Sequence, residues 1–157
     1  MMKLSHGLLV VVAGVLGAAC TPSEAEIDTL TAEARVIRWG TSFGMCAGYC
    51  REELEIGGSV LRLTRRSWSP TQPEQVAEQP FSSDAWRTLR ERMDAARIDR
   101  LQDVYGCPDC ADGGAEWVEL ENGDSKKRVT FEFGSGPSPL QSVLTELRAL
   151  RQRFPPR

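Results

Sequence analysis

The chain has 157 residues, 26% of them charged, with a net charge of −3, five cysteines and one histidine, His6. That length bounds the molecule to a single domain with a modest core, and the slight acidic excess speaks against nucleic acid as a partner. Once the leader described next is removed, no histidine is left. That excludes Ser-His-Asp hydrolysis, Cys-His proteolysis, histidine-ligated zinc and histidine phosphotransfer.

Met1, Met2 and Lys3 give a short positive start, and an apolar run from Leu8 to Leu16 ends in Gly17-Ala18-Ala19-Cys20. The run is shorter than the roughly 20 apolar residues a spanning helix needs, so residues 1–19 read as a signal peptide. The small residues before Cys20 resemble the lipobox of exported bacterial lipoproteins, with Leu16 one place upstream of the usual leucine. The resemblance implies lipid on Cys20, which becomes the mature N-terminus and membrane anchor. Ordinary signal peptidase cleaving at the same bond, leaving Cys20 a free thiol, is the alternative. Thr21 in place of an aspartate implies, by resemblance to enterobacterial sorting, the outer membrane, facing periplasm or surface. Losing Lys3 and His6 leaves the mature chain one unit more negative than the whole-chain −3. Residues 20–31, small, polar and acidic, read as a tether; residues 32–157 read as one α+β domain.

Periodicity sets the layout of that domain. Ala34 to Phe43 reads as a strand, with Ile37 and Trp39 on one side and Val36 on the other. Leu54 and Ile56 alternate with Glu53 and Glu55, Gly57-Gly58 turns the chain, and Leu61 and Leu63 alternate with Arg62 and Thr64, which predicts a hairpin. Ser69 to Pro80, with three prolines among polar residues, reads as a loop within the domain. A helix follows, capped by Ser82 or Ser83, with Asp84 at its positive end and an apolar stripe of Trp86, Leu89, Met93 and Ala96. Ile98 and Leu101 continue that contact. A second hairpin pairs Val118 and Leu120 with Val129, Phe131 and Phe133 around Asn122-Gly123-Asp124. The last helix starts at Ser138-Pro139 and runs through Leu140, Val143, Leu144, Leu147 and Leu150, with Arg148, Arg151 and Arg153 placed to suit its dipole. The order β-β-β-α-β-β-α predicts an α+β fold in two layers, an antiparallel sheet of about five strands with two helices on one face.

Any chemistry lies in two segments, Phe43-Gly44-Met45-Cys46-Ala47-Gly48-Tyr49-Cys50 and Gly106-Cys107-Pro108-Asp109-Cys110-Ala111-Asp112-Gly113-Gly114-Ala115-Glu116-Trp117. They resemble a group of small uncharacterised bacterial (lipo)proteins with an FGMCxGYC-like start and a CPDCADGGAEW-like stretch. The first segment is also similar, more loosely, to bacterial domains opening with C-F-G-x-C-P-x-Y before a hairpin, from which it departs at Ala47-Gly48. The resemblance implies a shared domain over most of residues 36–154 and no activity.

Three readings compete for Cys46, Cys50, Cys107 and Cys110. In an oxidising envelope an even set makes two disulfides in one of three connectivities, and crossed bridges would stabilise more than local ones because they close longer loops. The C-x3-C and C-x2-C pairs could instead supply the four thiolates of one structural zinc. The third reading, thiol-disulfide exchange at Cys107-Pro108-Asp109-Cys110, wants a helix N-terminus at the reactive cysteine, whereas turn residues and a strand follow it here.

Asp103, Asp109, Asp112 and Glu116 raise calcium, but they lack the regular ligand alternation of an EF-hand and read as turn-forming, solvated acids. Glu52, Glu53 and Glu55 raise glycoside chemistry and read as the solvent face of a strand. Arg62, Arg65 and Arg66 with Trp68 read as a charged strand edge. Trp117, opposite Val118, either caps the core edge or sits on the outer sheet face. The expectation is a lipid-anchored, non-enzymatic envelope module without a cofactor, whose cysteines hold the two segments against each other. Its candidate binding surface is Tyr49, Asp109, Asp112 and Trp117, for an unknown envelope protein or glycan.

Overall fold

The computed structural model describes residues 35–156, so the leader, Cys20 and the tether lie outside the described residues. Seven strands and two α-helices follow in the order β1 (Arg35–Ser42), β2 (Tyr49–Gly57), β3 (Val60–Ser67), β4 (Gln75–Pro80), α1 (Ser83–Ala96), β5 (Val104–Tyr105), β6 (Ala115–Asn122), β7 (Ser125–Glu132) and α2 (Gln141–Arg151). They form one sheet in the order β4-β3-β2-β1-β6-β7-β5, with β1 at its centre. Every pairing is antiparallel except that of β5 with β7. The α+β class therefore holds.

The expected five strands become seven. Residues read as loop supply β4, which pairs with β3 from Val60 opposite Pro80 to Arg65 opposite Gln75. It is an edge strand with almost every side chain exposed, so no apolar alternation marks it, and Glu78 on it pairs with Arg62 as a charged edge should. β5 has two residues, too few for any period, and lies parallel to β7 with Tyr105 beside Phe131.

Both predicted hairpins form, each with a positive φ at the first of its two loop residues, Gly58 and Gly123, where tight primed turns favour glycine. The Ser82 hydroxyl caps α1 by accepting from the Ala85 amide. Trp86, Leu89, Met93 and Ala96 form its buried stripe. A 3-10 turn over Ser138–Leu140 comes first at the last helix, so α2 begins at Gln141, about one turn after Ser138-Pro139. Its Val143, Leu144, Leu147 and Leu150 are buried.

Side chains of both helices meet those of one sheet face, Ile37, Trp39, Leu54, Ile56, Leu61, Leu63, Val118, Val129 and Phe131, in a single core cluster. Phe133 does not join this core; it lies just past β7, half exposed. Because β1, β3, β5 and β7 run one way and β2, β4 and β6 the other, the connections 43–48, 68–74, 106–114 and 133–137 all gather at one end of the sheet. Both cysteine segments are there.

Candidate functional site

At that end the cysteines pair locally. Cys46 is joined to Cys50 with their Cα atoms 5.6 Å apart, and Cys107 to Cys110 at 5.5 Å. The bridges therefore shape one loop each and do not staple the two together. The coupling between loops is non-covalent. The Gly44 amide donates to Asp109 Oδ1 at 3.2 Å, and the Phe43 ring lies so close to Gly114 that a Cβ there would come within 2.4 Å of it. Gly114 has a left-handed φ of 85°, and its carbonyl accepts from both Asp109 and Phe133 amides. Glycine is required at this position for space and for conformation alike.

The second cysteine loop is held by Glu132, whose Oε1 accepts from the Cys107 amide at 2.8 Å. Cys107 and Cys110 are exposed. Cys110 opens only a 3-10 turn, Cys110–Asp112, with Ala111 and Asp112 at left-handed φ. The oriented helix dipole that lowers a thiol pKa in oxidoreductases is not present at this motif.

The four candidate surface residues separate. Tyr49 is half-buried and its hydroxyl donates to the Pro73 carbonyl at 3.1 Å. Asp109 and Asp112 are exposed on the loop, with Asp109 engaged by Gly44. Trp117 is only 4% exposed; it lies on the outer sheet face against Gly40, with the Arg51 and Arg128 guanidinium groups 5.0 and 5.3 Å from its ring centroid. It belongs to the scaffold and not to an open surface. The apolar groups that do face water at this end are Met45, Trp68 and Phe133, 79%, 55% and 49% exposed. Trp68 donates its indole N–H to the Phe43 carbonyl at 2.8 Å, and Phe133 packs edge-to-face on Phe43 with centroids 5.0 Å apart.

Behind these loops, on the helix-covered face, Arg65, Glu52, Thr41, Glu116 and Phe131 stand in one row across β3, β2, β1, β6 and β7. Glu52 and Glu116 are 2% and 0% exposed, so the solvent-face expectation fails for Glu52, as it does for Arg65, 9% exposed. The α2 end steps along this row. Arg148 grips Glu116 through Nε and Nη2 at 2.9 and 2.6 Å, and Arg151 grips Glu52 through Nε and Nη2 at 2.7 and 2.8 Å. Arg65 donates to Glu52 at 2.8 Å and also to the Pro155 carbonyl. Trp39 Nε1 and the Gly134 amide complete Glu116 at 2.6 and 3.1 Å. Arg148 and Arg151, expected to serve the helix dipole, and Arg65, expected on a solvated strand edge, are partners of buried carboxylates. Such pairs cost desolvation and persist only when every group is matched. Glu116, raised with three aspartates for calcium, and Glu52, raised with Glu53 and Glu55 for glycoside chemistry, are both taken up by arginine.

An open groove of about 550 Å³ adjoins the row, lined among others by Trp39, Phe43, Phe133, Phe154, Arg148 and Arg151. The outer face of the sheet is instead a mesh of ion pairs. Glu53 and Glu55 lie there with Arg51, Arg38 and Arg62, and Arg66 pairs with Glu74. Glu119 accepts from Arg38, Lys126 and Arg128. Burial pushes the Glu119 carboxyl up, but its hydrogen bonds from Lys126, Arg128 and Arg38 outweigh that and hold it below the ordinary carboxylate range.

Among the described residues no group of three or more histidine, cysteine, aspartate or glutamate side chains is placed to hold a metal ion, and no helix is long and apolar enough to cross a membrane. No protein-family model and no curated protein matches the chain.

Proposed function

We propose that this protein is an exported, lipid-anchored module of the bacterial envelope that catalyses nothing and binds a partner through the disulfide-framed end of its sheet. The observation that carries the reading is the exposure of Met45, Trp68 and Phe133 on three neighbouring loops, the first closed by the Cys46–Cys50 bridge and the other two held to Phe43 by the Trp68 indole and the Phe133 ring. Large apolar side chains held in water mark contact sites, and loops ordered beforehand lose less entropy on binding. Two paired cysteine sets fit an oxidising compartment, in keeping with the leader and Cys20. The likeness of residues 43–50 and 107–117 to small uncharacterised bacterial lipoproteins supports the same address, on the outer membrane. The partner is an envelope protein or a glycan.

Exposure of both Cys107 and Cys110 favours thiol-disulfide exchange as the second reading, and a zinc held by all four thiols is the third. Mass spectrometry of the protein purified from an exporting bacterial host, alkylated before and after reduction, separates them. We expect no alkylation until reduction, no metal mass, and palmitate labelling that disappears in Cys20→Ser. Four free thiols with one retained zinc, or rapid reaction of Cys107 alone, would replace this reading with the corresponding alternative. For the binding surface, Met45→Asp combined with Trp68→Ser should lower adsorption to isolated envelopes at least tenfold with an unchanged thermal midpoint. Equal adsorption by the two proteins would remove the surface from consideration.

A further inference from the structure

The groove beside the buried row has a polarity that the row itself creates. Its walls are aromatic, from Trp39, Phe43, Phe133 and Phe154, and its charged groups are Arg148 and Arg151, of which Arg151 is taken up by Glu52 through Nε and Nη2. Glu116, 0% exposed, takes the Nε and Nη2 edge of Arg148. Glu116 is in turn saturated by Trp39 and Gly134. The Arg148 fork is thus fixed by one edge, while its Nη1 has no partner among the described residues and the side chain is 35% exposed. Counting the row together, three guanidinium groups, of Arg65, Arg148 and Arg151, face two carboxylates, Glu52 and Glu116. Among the described residues the site carries an excess positive charge next to apolar walls, and its volume lies within the range of small-ligand sites. A cation would be repelled here, and a neutral chain would leave the oriented guanidinium donors unused.

We propose that this groove binds a single-headed anionic amphiphile, an apolar chain ending in a carboxylate, with the head on the free edge of Arg148 and the chain along the aromatic walls. The inference does not rest on export or on a partner at Met45 and Trp68; it would stand if both failed.

The test is calorimetric titration of the chain from residue 20 onward, carrying Cys20→Ser and with its disulfides oxidised, with dodecanoate below its micellar concentration. Dodecanol, dodecyltrimethylammonium and phosphatidylglycerol vesicles are the comparison arms. We expect saturable one-site binding of dodecanoate, at least tenfold weaker binding of the alcohol, and none of the cation. Phe133 is half exposed, so Phe133→Asp should leave the fold intact while placing a negative charge at the groove, weakening dodecanoate at least tenfold. Arg148→Lys keeps a cation against Glu116 but removes the fork, and should weaken binding several-fold. Met45→Asp should change nothing, which separates this site from the surface proposed above. The proposal is overturned by equal affinity for acid and alcohol, by an unaffected Phe133→Asp variant, by binding to vesicles alone, or by the absence of saturable binding. It is equally overturned if affinity appears only after residues 20–34 are deleted, since the groove would then belong to the chain's own N-terminal segment.

Discussion

Gly40 occupies the middle of the central strand, where a glycine weakens pairing and buries nothing of its own. Its reason lies on the neighbouring strand. Gly40 is directly opposite Trp117 in the β1–β6 register, and a Cβ on it would fall 2.0 Å from the Trp117 ring and 2.7 Å from the Glu52 carbonyl. The indole lies across this glycine with the Arg51 and Arg128 guanidinium groups against its ring. Gly40→Ala should therefore cost about 3 kcal/mol, at the upper end of overpacking penalties, read from the urea midpoint at unchanged slope. In a Trp117→Ala background the same substitution should cost less, about 1–2 kcal/mol, since the clashing ring is gone while the Glu52 carbonyl stays in place. Equal costs in the two backgrounds would show that the ring is not what excludes a side chain. The outward aim of Trp117 was legible from its alternation with Val118, but Gly40 as its seat was not, because that contact needs a register between strands 77 positions apart.

At the scale of elements, the sheet and helices that bury an apolar stripe were legible, and those that bury nothing were not. Trp86, Leu89, Met93 and Ala96 repeat with a helical period, so α1 could be drawn from sequence, whereas β4 presents six residues with hardly any burial and no period. The buried ionic row had a signal that went unread. Glu52 shares the parity of Leu54 and Ile56, Arg65 that of Leu61 and Leu63, and Glu116 that of Val118; Arg148 and Arg151 fall four residues after Leu144 and Leu147. Charges at core-parity positions on three strands and a helix imply buried pairs, since an unpaired one would not be tolerated. On the opposite face the same logic gives a pH dependence. The Glu119 carboxyl sits below its ordinary range in the folded state, so the unfolded chain takes up the proton first as pH falls. Its contribution is fully present above the ordinary carboxylate pKa and is lost as pH drops through the lower, folded value. Thermal midpoints taken from pH 7 to pH 3 should show Glu119→Gln less stable than the parent at neutral pH and converging with it in acid. Parallel curves across that range would mean the Lys126, Arg128 and Arg38 contacts do not couple to folding.

For the molecule as a whole, the position of the bridges separates what holds the fold from what holds the surface. Sequence indicated four cysteines in two loops but not their connectivity, since both local and crossed pairings fit the spacing and the meeting of the loops depends on the sheet order. Local pairing closes rings with separations of only 4 and 3 residues, for which the chain-entropy model gives about 2 kcal/mol each. The core cluster that joins both helices to the sheet contains no cysteine. Reduction should therefore leave the far-UV spectrum and a cooperative urea transition in place, with a loss of no more than about 4 kcal/mol in total. The loops should respond quite differently. With the bridges open, the two segments keep only non-covalent contacts, among them Gly44 to Asp109 and Phe43 on Gly114, so limited proteolysis should cut first within residues 43–50 and 106–114 while the sheet stays intact. Envelope adsorption through Met45 and Trp68 should fall with the first cuts and before the fold is lost. Global unfolding on reduction would instead make the bridges part of the fold's own stability, and a reduced protein that adsorbs as well as the oxidised one would mean that the framed loops are not what the partner reads.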